Sequence, residues 1–411
     1  LRMPLTMSES PPPQPPIITV RTGHPDFLDL PWHRSIRSWE TERLIDLPRG
    51  ISRHEVRFVV YPSGIYAIKE LPREPARRDY RVLRELEEEG GPAVEPVGLV
   101  ERLGVDPEAE EAAALITRYL NYSFSYRELI SGGGFGPRRP LMLDAFANLL
   151  VGLHLLGCFW ADCSLSNVLY RYDAETIEAI MVDAETASIF ATLSDGQRLH
   201  DLEIMMENVA GEMMDIAAQT GHPLDEADIH LGRDIAGRYR ALWDELTSVE
   251  TVGQDERYRI NQRVERLHDL GFQVEEINLL PTADGHRLQI KTKVGGRHFH
   301  SWRLKELTGI DASERQARQI LSDMHYYQMQ HDGASPTQKE VLAVRWRVGV
   351  FEPYLQRISR QPGVLDPVQA YCDFLHHRYV LSVREQRDVG NEAAFRDWTM
   401  AGRPGYPVGQ A

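Results

Sequence analysis

Four polar residues in this 411-residue sequence have types and spacing that could do chemistry: Lys69, Asp162, Asn167 and Asp183. Transfer of a phosphoryl group needs a carboxylate to take the acceptor's proton, oxygen ligands for Mg²⁺ and a cation on the nucleotide phosphates. Asp162 fits the first need, Asn167 and Asp183 the second and Lys69 the third. Singly, each has a bland reading, because Asp and Asn favour turns and a strand lysine is usually solvated. Lys69 stands out by composition. The chain has 5 lysines against 41 arginines, and Lys69 is the sole lysine in residues 1–290. A coding bias explains the arginines but not the position that kept a compact point charge instead of a planar fork.

The surrounding pattern supplies elements to hold these residues. Residues 55–61 alternate, Pro62-Ser63-Gly64 turns, and residues 65–71 alternate again, which predicts a hairpin with Lys69 on its second strand. Residues 75–89 place Tyr80, Leu83 and Leu86 on one face of a helix that stops at Gly90-Gly91. Strands are expected at 94–103 and 114–120. A buried helix over 141–157 then leads into the loop of Asp162 and Asn167, and an apolar strand ends at Asp183. Helices are expected at 200–219, 225–246, 256–271, 312–330, 336–359 and 366–386, with strands at 273–280, 287–295 and 297–305.

Composition narrows the class. With 46 basic and 61 acidic side chains the net charge is −15, and 42% hydrophobic residues suit a soluble globular chain of two or three domains. Residues 251–411 carry 22 basic and 20 acidic side chains, leaving 24 and 41 to residues 1–250. That shift predicts a boundary near 250, and the acidic part would repel nucleic acid as a whole. No run of 18 apolar residues predicts a membrane span. Residues 1–20 read as a disordered Pro-rich tail, not a secretory signal. Cys158, Cys163 and Cys372 form no disulfide or metal pattern, so a cytoplasmic setting is expected.

Taken together, YAIKEL, LHLLGCFWADCSLSNVLY and MVDAETA resemble, in order and spacing, the lysine strand, catalytic loop and Mg²⁺-binding segment of the protein-kinase-like superfamily. The resemblance covers residues 40–250 and lies nearer the lipopolysaccharide-kinase and aminoglycoside-phosphotransferase side. The whole chain is similar to an actinobacterial lipopolysaccharide-kinase-like group with a C-terminal domain of unknown function. It implies an α+β class: a bilobal kinase-like fold with an N-lobe at 21–117 and a C-lobe at 118–250, then a mainly helical α+β domain at 251–411.

The resemblance also implies roles. Asp162 and Lys69 would be catalytic. Lys69, Gly50, Ser52, Asp79 and Tyr119 would bind ATP, and Asn167, Asp183 and Glu185 would hold Mg²⁺. Asp79, or alternatively Glu85, would pair with Lys69, and Asp201 would brace the catalytic loop. The chain departs from the family pattern at several points. Trp160 replaces the usual histidine, Ser164 replaces the helper cation and Glu185 replaces a glycine, and the glycine-rich loop shrinks to Gly50 and Ser52.

The expected activity is therefore an ATP- and Mg²⁺-dependent phosphotransferase acting on a hydroxyl of a sugar, small molecule or protein. The alternatives are a nucleotide-binding pseudokinase or scaffold, or an AMP transferase using the same site. Residues 291–305 interleave cations with Phe299 and Trp302, where a nucleic-acid surface competes with a hairpin turned at Gly295-Gly296. The amphipathic helix around 376–388 suits packing or self-association.

Overall fold

The computed structural model describes residues 15–47, 53–130, 135–221, 223, 226–253, 256, 258–282, 287–330 and 336–406. It divides into two compact units: residues 1–87, 93–120 and 182–188 form the first, and 88–92, 121–181 and 189–411 the second.

The first unit is built on a six-stranded antiparallel sheet. Its strands are β1 (Ile17–Val20), β2 (Leu44–Ile45), β3 (Val56–Tyr61), β4 (Gly64–Leu71), β5 (Pro96–Glu101) and β6 (Ala113–Arg118), in the order β1-β5-β6-β4-β3-β2. The expected hairpin is β3–β4, and Lys69 pairs with Val56 on one side and Leu115 on the other. A lysine on a central strand has limited side-chain freedom, which suits a positional task. Phe27, Trp32, Ile36, Trp39, Tyr66, Ile68 and Val100 fill one core. Residues 17–20 were expected within a disordered tail. They instead pair with β5, Ile17 opposite Glu101 and Val20 opposite Gly98. Residues 1–14 of that tail lie outside the described residues. Helix α1 (Arg73–Glu88) buries Ala76, Asp79, Val82, Leu83 and Leu86 along one stripe.

The second unit begins with α2 (Tyr126–Leu129) and the buried helix α3 (Arg139–Leu155). Strands β7 (Cys158–Phe159), β8 (Val168–Asp173), β9 (Thr176–Met181) and β10 (Ser188–Ile189) follow, where β8 pairs with β9 and β7 with β10. Then come α4 (Asp195–Thr220), α5 (Glu226–Ile229), α6 (Leu231–Thr247), β11 (Glu250–Gly253), α7 (Tyr258–Asp269), β12 (Val274–Pro281) and β13 (Arg287–Val294). The last section is helical: α8 (Phe299–Thr308), α9 (Glu314–Met329), α10 (Pro336–Trp346), α11 (Glu352–Ser359), α12 (Pro367–Glu385) and α13 (Gly390–Met400). Trp346, Tyr371, Phe374 and Trp398 centre its core. The tip of the β8–β9 hairpin is tied into this helical section. Asp173 accepts the Arg315 and Gln316 N–H groups at 3.0 and 2.8 Å, and Gln369 bonds both the N–H and the C=O of Ala174.

Two local expectations change. Residues 297–305 form no strand, because α8 starts at Phe299. Gly295 and Gly296 turn no hairpin either; they continue the pairing with Gln273. The first free N–H groups of α8, on His300 and Ser301, are taken by the Glu314 carboxylate at 2.8 and 3.0 Å, a cap supplied from another helix. The expected helix 336–359 is interrupted by a π-turn at Arg347–Phe351, just before Pro353, whose ring cannot follow regular α-helical bonding.

Gly157 sits at φ +75°, and a Cβ there would lie 1.8 Å from the carbonyl oxygen of Phe190, whose N–H donates to the Gly157 carbonyl at 2.9 Å. Gly157→Ala should therefore cost more than about 3 kcal/mol in urea unfolding. Gly211→Ala in α4, with nothing within 4 Å, should be neutral or stabilising by at most about 1 kcal/mol.

Candidate active site

In the first unit, Asp79 interrupts the apolar stripe of α1 and is fully buried. A buried carboxylate needs a partner, and Lys69 supplies it: Nζ lies 2.5 Å from Asp79 Oδ2 and 3.1 Å from Asp183 Oδ2. The other Asp79 oxygen accepts the Ala184 N–H at 3.0 Å, and Asp183 Oδ1 accepts the Glu185 N–H at 3.2 Å. Lys69 thus has Asp79 as its helix partner, while Glu85 is exposed on the same helix. Burial opposes the Lys69 ammonium, but Asp79 and Asp183 outweigh it and hold its pKa above the usual lysine value. Burial raises the Asp79 carboxyl to about 6 against the pull of Lys69, and Asp183 adds to the rise. One ammonium between two carboxylates leaves negative charge in excess, which suits a further cation.

Glu185 is differently engaged. Its carboxylate lies 2.9 Å from His54 Nε2 and 3.4 Å from Arg53, and His54 Nδ1 lies 2.6 Å from Glu110. Tyr119 follows β6, with its N–H on the Ile65 carbonyl and its ring edge-on to Phe58 at 5.5 Å. Gly50 and Ser52 lie outside the described residues.

In the second unit, one face of α4 holds the loop of residues 160–167. Asp201 accepts the Trp160 and Ala161 N–H groups, both at 2.8 Å, and lies 3.1 Å from His154 Nε2. His154 in turn meets the Tyr239 hydroxyl at 2.7 Å, as a packed core histidine. Seven residues along α4, Asn208 donates to Asp162 Oδ1 at 3.2 Å and to the Cys163 carbonyl at 3.1 Å. Four further, Glu212 accepts the Leu165 and Ser166 N–H groups, both at 2.8 Å. Burial raises the Glu212 pKa against those bonds. Asn167 Nδ2 donates to Asp162 Oδ2 at 3.1 Å. Ala161 has φ +63°, a strained value for a residue with a Cβ, and both its neighbour's and its own N–H are fixed by Asp201. The structure thus presents the Asp162 carboxylate with one oxygen on each of two amides, in a loop gripped at both ends. Asp201 was legible as a brace; Asn208 and Glu212 were not. Their trace in the sequence is polar residues at helical spacing beside the buried Leu202, Met205, Val209 and Met213.

Residues 64–228 match the lipopolysaccharide kinase (Kdo/WaaP) family. That match covers less than half of the chain, so it is a likeness of residues 64–228 to the family. Residues 241–401 match a domain of unknown function, DUF4032, whose first residues fall inside α6. No curated protein sequence matches the chain. Among solved structures, WaaP in complex with acyl carrier protein is 18% identical, with 48% of this chain and 86% of that chain covered and a TM-score of 0.30. The chain has a mixed helix-and-sheet fold, a sheet-containing N-terminal lobe followed by a helical C-terminal part. Among the described residues, no helix is long and apolar enough to cross a membrane.

The residues present also fit Mg²⁺. Among the described residues no three His, Cys, Asp or Glu side chains form a ready-made cage. Mg²⁺, however, is usually held by one or two carboxylates plus substrate phosphates and water, and Asp183 in the first unit and the Asn167 amide oxygen in the second are each donors of that kind.

The His54–Glu185 pair has a testable pH signature. The Glu185 contact raises the His54 pKa above 6.5, and the His54 contact lowers Glu185 below 4.5. The histidine's contribution is full below 6.5 and is lost as pH rises through its raised value. The glutamate's contribution holds above 4.5 and is lost as pH falls through its lowered value. His54→Gln should therefore lower the melting temperature most between pH 4.5 and 6.5, and the deficit should shrink in alkaline buffer.

Proposed function

We propose that the kinase-like domain transfers the γ-phosphoryl group of ATP to an alcohol oxygen, with a sugar hydroxyl as the favoured acceptor class. The observation that carries this reading is the Asp162 carboxylate, held by Asn167 and Asn208 in a loop braced by Asp201 and Glu212. An acceptor hydroxyl bonded to Asp162 gives up its proton there as its oxygen attacks the γ-phosphorus, and ADP leaves. Lys69, steadied by Asp79, is the cation for the nucleotide phosphates, and Tyr119 contributes to the nucleotide pocket. Asn167 and Asp183 would hold Mg²⁺, which supplies charge neutralisation on the transferring phosphoryl group. Glu185 serves this site through its ion pair with His54, with its backbone N–H orienting Asp183. The family match supports a kinase-like phosphotransferase, and a cytoplasmic setting would supply the ATP.

A second reading has its own observation. Ser164 stands where the family's helper cation is expected, and its hydroxyl meets Ser166 at 3.2 Å with no charge to offer the phosphoryl group. That favours a nucleotide-binding protein with weak or no turnover. Incubation with γ- and α-labelled ATP and a cell extract separates the readings. Movement of the γ-label supports the kinase, movement of the α-label means AMP transfer, and ATP-dependent thermal stabilisation without product means a pseudokinase. If the kinase reading holds, Asp162→Ala should lower kcat by at least about 100-fold with ATP affinity nearly unchanged. Asp183→Ala should abolish turnover. Lys69→Arg should also cost about 100-fold or more, because the wider guanidinium cannot sit 2.5 Å from Asp79 and 3.1 Å from Asp183 at once.

A further inference from the structure

The three-stranded sheet of the second unit has the order β11-β13-β12, so β12 is an edge strand. Among the described residues no strand pairs with its outer side. The hydrogen bonds at the two ends of its ladder fix which backbone groups point outward. At the loop end the Thr282 N–H donates to the Arg287 carbonyl at 3.0 Å, and at the other end the Gly295 N–H donates to the Gln273 carbonyl at 2.8 Å. Antiparallel pairs alternate between hydrogen-bonded and non-hydrogen-bonded. With the one bulge between Val274 and Glu276, counting from either end gives the same result. Ile277 opposite Thr292 and Leu279 opposite Ile290 are non-hydrogen-bonded pairs, so their N–H and C=O groups face away from β13. Pro281 holds the next outward position, where a missing N–H costs the ladder nothing.

The side chains at this edge are apolar and uncovered. Ile277 and Leu279 lie on the face of the buried Ile290, yet they are 40% and 43% exposed. Edge strands are ordinarily blunted by charge or covered. The sequence of this edge complements itself about Asn278. Antiparallel pairing centred there sets Ile277 against Leu279 of the partner copy twice, which makes four N–H···O=C bonds and one strip of four apolar side chains. Asn278 meets its own symmetry mate, and an amide is both donor and acceptor. Glu276 then meets Leu280 of the partner copy, whereas parallel in-register pairing would set glutamate on glutamate. Glu275 is already matched by Lys293 at 2.7 Å. The copies also meet through residues 251–411, with 22 basic and 20 acidic side chains, where repulsion between like-charged chains is weakest.

We propose that a second copy of this chain pairs along β12 across a two-fold axis, joining the two three-stranded sheets into one of six strands. A contact of this length falls below the roughly 1,200 Å² of a stable interface, so the dimer forms in the micromolar range. Nothing in this assembly depends on the phosphotransferase reading.

The test is sedimentation of the full chain from about 5 to 500 µM, together with cysteine cross-linking. A rise from monomer toward dimer with concentration is expected. Leu279→Pro removes an outward N–H in the register where Pro281 already sits, and Ile277→Lys places a charge on the edge; each should weaken association about tenfold or more. Under mild oxidation Asn278→Cys should give a disulfide-linked dimer, because facing residues of a non-hydrogen-bonded pair have Cα atoms about 4.5 Å apart. Lys291→Cys, equally exposed but one strand further in, should not. Cys158, Cys163 and Cys372 are buried and do not compete. Asn278→Cys leaves the apolar edge intact and decides the outcome if an edge variant melts early. A monomer at every concentration would overturn the proposal and leave the edge to an extended segment of another protein. Association unchanged in both edge variants, or Lys291→Cys cross-linking as readily as Asn278→Cys, would overturn it too. So would loss of association in Val383→Ser, exposed on α12, which would assign self-association to the C-terminal helices.

Discussion

A buried ammonium is tolerable only when carboxylates surround it, and in this protein that requirement organises the first unit. Lys69 is fixed in register on a central strand, Asp79 is carried inward by the apolar face of α1, and Asp183 arrives from a segment more than a hundred residues later. The Ala184 N–H on Asp79 closes the arrangement. Removing Asp79 would leave Asp183 as the carboxylate on Lys69 and take the acceptor from the Ala184 N–H. The helix, the strand and the 182–188 segment therefore belong to one compact unit although they are distant in sequence.

A corresponding constraint shapes the second unit. The loop of residues 160–167 makes almost no regular secondary structure and holds a strained Ala161, so its backbone N–H groups need outside acceptors. Helix α4 supplies them from a single face, with Asp201 and Glu212 as carboxylate clamps and Asn208 between them. The result is a rigid mounting for Asp162, with Trp160 two residues before it and Ser164 two residues after. The C-terminal helices are joined to the same unit through Asp173 and Gln369, which fasten the β8–β9 tip to α9 and α12.

Legibility followed the range of the interactions. The β3–β4 hairpin, α1 and α3 depend on local alternation or helical periodicity, and their positions agree with the sequence within a few residues. Residues 297–305 misled because their aromatic and basic residues alternate as in a strand, while the cap that makes them a helix comes from Glu314, fourteen residues from His300. Strand β1 was hidden by the prolines before it, because its only reason to be a strand is its partner β5. Asn208 and Glu212 looked like ordinary polar positions on a long helix, and only the loop they grip gives them meaning.

By itself the sequence determined the residue types able to do phosphoryl chemistry, their order along the chain and the elements that carry them, because periodicity and turn residues act over short distances. It also singled out Lys69, where a compact cation persists among arginines. Only the tertiary structure decided that Asp79 and not Glu85 meets that lysine, that Glu185 pairs with His54, and that α4 clamps the Asp162 loop. It alone placed β12 at the edge of its sheet. Such partners are chosen by burial and distance between segments far apart in the chain, and neither quantity is written in local spacing.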